Sequence, residues 1–69
     1  MKQQKTTDVL KVLRSQGWSF VRDAKGSHEI WGNADGTKKT PVPTGHRYIS
    51  PGVLKSLEKA GVTIPKEWK

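Results

Sequence analysis

Trp18-Ser19-Phe20-Val21-Arg22, Asp23-Ala24-Lys25-Gly26 and Ser27-His28-Glu29-Ile30-Trp31 follow one another without a break. The first and third segments are rich in aromatic and β-branched residues, and the middle one is turn chemistry. The run is therefore expected to form a β-hairpin. Downstream, Asn33-Ala34-Asp35-Gly36 is a second turn, since Asn, Asp and Gly tolerate the backbone angles a tight reversal needs. Thr37 to Val42 then reads as a third strand. Pro41 has no N–H for a ladder, so that strand is expected to lie at a sheet edge or to end near there.

Helices flank the strands. Upstream, Thr7 is expected as an N-cap, with Asp8 against the positive helix end. Val9, Leu10 and Leu13 share one face, Val12 lies at its edge, and Lys11 and Arg14 point away. Gly17 stops the helix. Residues 1–6 read as a frayed basic lead-in. Downstream, 43–49 reads as a loop, and Ser50-Pro51 opens a second helix with Val53, Leu54, Leu57 and Ala60 on its apolar face. Lys55 and Lys59 share its outer face, Gly61 ends it, and Val62 to Pro65 form an extended tail.

The expected class is α+β, in the order α-β-β-β-α. It is a two-layer domain, with a three-stranded antiparallel sheet carrying two helices on one face. The double-stranded-RNA-binding fold has this order, which unrelated domains also share. At 69 residues the chain makes one domain, with a folded core at about 7–64. A body this small buries only ~60% of its unfolded surface, which argues against a deep walled cleft.

Lys and Arg number 13 against 6 Asp and Glu, a formal charge of +7. That excess favours a polyanionic partner, either nucleic acid or an acidic protein surface. The absence of cysteine excludes disulfide and thiolate chemistry and fits a reducing cytoplasm. Two histidines without an acidic cluster make a metal site unexpected, and no cofactor is expected. Met1-Lys2-Gln3-Gln4-Lys5 has no apolar run behind it, so neither a secretory leader nor a membrane span is expected.

Gly17-Trp18, Val21-Arg22 and Lys25-Gly26-Ser27-His28 resemble the opening of HicA-type toxins. Ile49-Ser50-Pro51-Gly52-Val53-Leu54 and Ala60-Gly61-Val62 are similar to that family's second helix. The matches run in order from about residue 7 to residue 62. The resemblance implies a toxin of a bacterial toxin–antitoxin pair, with a double-stranded-RNA-binding-like fold and metal-independent cleavage of mRNA. It implies that His28 is the essential residue and that a HicB-type antitoxin covers the active surface. Nothing carries over to residues 66–69.

RNA is cleavable through its own 2′-hydroxyl, which needs one proton removed, another delivered, and charge on the phosphorane stabilised. Imidazole suits the proton work near neutral pH, and cations and backbone N–H groups suit the charge work. Gly26 lets a phosphate approach the backbone, and the Ser27 hydroxyl is a donor. By strand parity His28 goes with Ile30, taken as core-facing. That leaves two readings, a buried histidine or a ring at the sheet's end reaching solvent; the second is preferred. His46, beside Arg47, offers a two-histidine pair, but an ordinary loop residue is the preferred reading. Expected RNA contacts are Lys25, Gly26, Ser27, Arg22, Lys38, Lys39, His46 and Arg47, with at most one of Lys38 and Lys39 sharing a surface with His28. Trp31, opposite Ile30, is either exposed for stacking or packed away. Trp18, Phe20 and Tyr48 read as core or core-rim. Glu29 is placed on the face away from His28 and is not cast as its partner. A non-catalytic RNA-binding module of the same fold is the alternative function.

Overall fold

The computed structural model describes residues 1–69. The elements are β1 (Gln4–Lys5), α1 (Thr6–Ser15), β2 (Ser19–Asp23), β3 (Glu29–Gly32), β4 (Lys39–Val42), β5 (Tyr48–Ile49), α2 (Pro51–Lys59) and a 3₁₀ turn at Lys66–Trp68. The expected α-β-β-β-α order is present. β2, β3 and β4 form an antiparallel sheet in that spatial order, and β1 and β5 add a separate two-stranded pair. Both helices send their apolar stripes into one core. Val9 and Leu13 of α1 and Leu54 and Leu57 of α2 pack with Trp31 and Val42 from the sheet. No helix is long and apolar enough to cross a membrane.

Helix ends follow local chemistry. Gly17 adopts φ +86°, and the Trp18 N–H bonds the Leu13 carbonyl at 2.9 Å, closing α1. The Val62 N–H bonds the Leu57 carbonyl and closes α2 in the same way. Ser50 caps α2 as expected, accepting from the Val53 N–H at 3.3 Å. α1 departs from expectation. It starts at Thr6, and no side chain caps it. The Thr6 N–H bonds the Arg47 carbonyl, and its hydroxyl donates to the carbonyl of His46. Residues before the helix are not frayed, because Gln4 and Lys5 pair with Ile49 and Tyr48. Pairing to a distant strand gives the lead-in backbone partners that isolated helix propensity does not supply.

In the sheet, Phe20 pairs with Trp31 and Arg22 with Ile30, so a bulge lies at Val21. Pro41 pairs with Ile30 on an edge strand, as its missing donor requires. The second strand starts at Glu29, leaving Ser27 and His28 in the turn. The third starts at Lys39. Thr37 and Lys38 are held in the preceding turn by Asp35 and by Asn33, whose Oδ1 accepts from the Lys38 N–H. The Asp35 carboxylate is held below its ordinary range by the Thr37 hydroxyl and then by the Thr37 backbone N–H.

Two facing assignments are corrected. Trp31 is 2% exposed and belongs to the core, whereas its neighbour Ile30 lies half-buried on the outer face. A Trp side chain carries about 150–250 Å² of apolar surface, so the layer under the helices takes it ahead of Ile. Its indole N–H is satisfied by Glu29 Oε1 at 3.0 Å. Phe20 and Tyr48 are not core. They are 49% and 46% exposed. β2 is an edge strand with all five residues exposed, and Tyr48 lies on the short β5.

Candidate functional site: a cleft at the open end of the hairpin

The β2–β3 turn is short and closed by its own backbone, the Ala24 N–H bonding the His28 carbonyl at 3.0 Å. The 43–47 loop crosses over this turn. Its Gly45 N–H donates to the Ser27 carbonyl at 2.8 Å, and His46 Nε2 lies 3.2 Å from Ser27 Oγ in a hydrogen bond. A Cβ on residue 45 would stand 2.1 Å from Ser27 Cβ and 3.0 Å from its Cα. Only glycine permits this approach. The far side of the loop is tied to the start of α1 through Thr6. Three segments distant in sequence are thus locked together beside His28.

Between α1 and the hairpin end lies an open cleft of about 660 Å³. Leu10 and Arg14 of α1 form one wall, and Phe20 and Asp23 of β2 the other. Glu29 and Trp31 line it from β3, and Gly26, Ser27 and His28 form its rim. The Arg14 guanidinium sits over the Trp31 ring, 5.3 Å from the centroid, a cation–π contact. His28 is exposed, at the sheet's end rather than in the interior. It also lines a second, smaller groove of about 280 Å³ with Pro43, His46, Tyr48, Ser50 and Val53. His46 borders a further depression with Lys5 and Arg47. The imidazoles therefore face a common groove.

The expected contact residues divide in two. Gly26, Ser27, His28 and His46 come together around these grooves, whereas Arg47 lines the neighbouring depression with His46 and no groove containing His28. Lys25 is exposed in the turn beside them. Arg22 pairs with Ile30 and so lies on the outer face. Lys38 borders a separate hollow at the opposite sheet end with Trp18, Asn33 and Asp35. Lys39 pairs with Gly32, three rungs from the Glu29–Val42 pair beside His28. Neither lysine lines a groove containing His28.

The cleft residues outside the sequence reading of the site include Arg14, Phe20, Asp23 and Glu29. A usable signal existed for Arg14. It follows Leu10 by four residues, so the two share a helix face. Glu29, although bonded to Trp31, lines the same cleft as His28. No group of three or more His, Asp or Glu side chains is placed to hold a metal ion.

The profile of the HicA toxins of bacterial toxin–antitoxin systems matches residues 6–62. The chain belongs to the HicA toxin family. No curated protein and no solved structure matches it. The family match covers α1, the whole β2–β4 sheet, the crossing loop and α2, so every wall of the cleft lies within the HicA region. The resemblance carried by Gly26-Ser27-His28 and by Ile49 to Leu54 is thereby borne out.

The crossing loop of this HicA chain yields a first prediction. Gly45→Ala forces the loop off the Ser27 backbone, because the contacted atoms include Cα and the carbonyl oxygen as well as Cβ. Overpacking of this kind costs about 1–3 kcal/mol. The expected result is a lowered melting temperature, together with loss of amide protection at Gly45 in hydrogen exchange. An unchanged melting curve and an unchanged Gly45 exchange rate would contradict the packing described.

Proposed function

We propose that this toxin is a metal-independent endoribonuclease that cleaves mRNA in the bacterial cytoplasm and is neutralised by a HicB-type antitoxin covering the cleft. His28 is its general acid or base. The observation that carries the reading is the exposed His28 ring at the rim of a cleft that also holds Gly26, Ser27 and Arg14.

The chemistry follows from these groups. The 2′-oxygen of a ribose attacks the adjacent phosphorus, the P–O5′ bond breaks, and a 2′,3′-cyclic phosphate remains. His28 takes or gives one proton, a contribution of typically 10²–10⁴-fold. Arg14 offers positive charge to the phosphorane oxygens, and the Ser27 hydroxyl and the Gly26 backbone offer hydrogen bonds. Phe20, exposed on the cleft wall, offers a stacking surface for an unpaired base. Asp23 and Glu29 in the same cleft repel phosphate, so the chain is expected to enter over the Arg14 and Ser27 side. The +7 charge speeds encounter with RNA and equally with an acidic antitoxin surface.

The test is incubation of the purified chain with single-stranded RNA in excess EDTA. Cleavage with 2′,3′-cyclic phosphate ends is the expected result. Intact RNA bound with a steep salt dependence, uncut at stoichiometric protein, would instead select a non-catalytic RNA-binding module.

A further inference from the structure

The geometry points to His46 as the second proton-transfer group of the site, acting on the same phosphate as His28 from the groove the two imidazoles share. This rests on the ribonuclease reading above and names the group that one histidine cannot replace. In the cyclising step the O2′–P bond forms and the P–O5′ bond breaks. The proton leaving O2′ goes to one imidazole, while the other, as imidazolium, gives its proton to O5′. Atoms and charge balance with no co-reactant. A single ring cannot do both in one transition state.

Three observations support His46. It lines the groove with His28, between Pro43 and Tyr48. Its ring bonds Ser27 Oγ at 3.2 Å, and Ser27 is itself on the rim of the main cleft, so ring and hydroxyl join the two grooves. Its backbone is tied independently of the ring, the N–H bonding the Pro43 carbonyl and the carbonyl accepting from the Thr6 hydroxyl. The ring is exposed and left for other use. Charged and titratable groups stand on both sides. Asp23, Glu29 and Arg14 face His28, and Lys5, Arg47 and Tyr48 face His46.

The experiment is the dependence of kcat/KM on pH, from about pH 5 to pH 9, for RNA cleavage in EDTA. Wild type is compared with His46→Gln and His46→Ala, and binding is followed with a 2′-O-methyl RNA that cannot react. Glutamine keeps a hydrogen bond to Ser27 but transfers no proton. The expected wild-type profile is a bell. His46→Gln is expected to lose one limb, whichever it is, and about 10²-fold or more in rate, with binding changed by no more than a few fold. A His46→Gln enzyme that keeps both limbs and most of the rate would overturn the inference, including the case in which only His46→Ala is impaired, since that marks a positioning role. If wild type cuts no RNA, the ribonuclease reading itself has failed, and this inference falls with it.

Discussion

His28→Ala is expected to abolish growth arrest and to lower RNA cleavage by about 10²–10⁴-fold, while the fold is retained. The ring is exposed, and only the backbone carbonyl of this residue holds the turn, through the Ala24 N–H. Surface substitutions of this kind usually change stability by less than about 0.5 kcal/mol. Circular dichroism and thermal melting are therefore expected to match wild type within error, and RNA binding to persist through Arg14 and the remaining cations. Such a separation assigns the loss to chemistry rather than to folding. Equal cleavage by the two proteins would remove His28 from the mechanism.

Trp31→Ala is expected to have the largest effect on stability. The side chain is 2% exposed and belongs to a core of ten residues to which both helices contribute. Removing a buried Trp costs about 3–5 kcal/mol, through lost transfer energy and the cavity left behind. Two further contacts go with it, the indole N–H to Glu29 and the ring beneath Arg14. Whole domains are stable by about 5–15 kcal/mol, so the variant is expected to sit near the folding threshold. A drop in melting temperature on the order of 15 °C or more is the expected readout for a chain this size. Trp31→Phe, which keeps most of the ring but not its N–H, is expected to recover over half of that drop. A Trp31→Ala protein melting within a few degrees of wild type would contradict the burial described.

The element order was legible because the chain punctuates itself strongly. Gly17, Asn33 to Gly36, Ser50-Pro51 and Gly61 each close or open an element where the structure does. Facing was less legible. Ile30 and Trp31 are adjacent apolar residues on a central strand, so alternation alone leaves either one pointing inward, and the volume available under two helices decides. Phe20 pairs with the buried Trp31 and so shares its face, but β2 is the edge strand, all five of its residues are exposed, and the ring lines the open cleft instead of the core. The short β1–β5 pair was invisible for a different reason. Two polar residues gain a strand partner more than forty positions away, and no local pattern announces it.

The candidate site shows the same division. Gly26, Ser27 and His28 were readable as a unit because they are contiguous. His46 reaches them only because the crossing loop hydrogen-bonds the turn, which depends on Gly45 lacking a side chain. Lys38 and Lys39, attractive as a basic pair in sequence, are carried to the other end of the sheet by the antiparallel register.

The central claim is that RNA lies across the hairpin end, against His28, rather than along the open outer face of the sheet. Amide chemical-shift perturbation of the labelled chain by a 2′-O-methyl single-stranded RNA tests it most directly. The account predicts changes concentrated at Arg14, Gly26 to Glu29 and Gly45 to Arg47. Changes confined to Val21, Arg22, Ile30 and Lys39, with His28 unmoved, would contradict it.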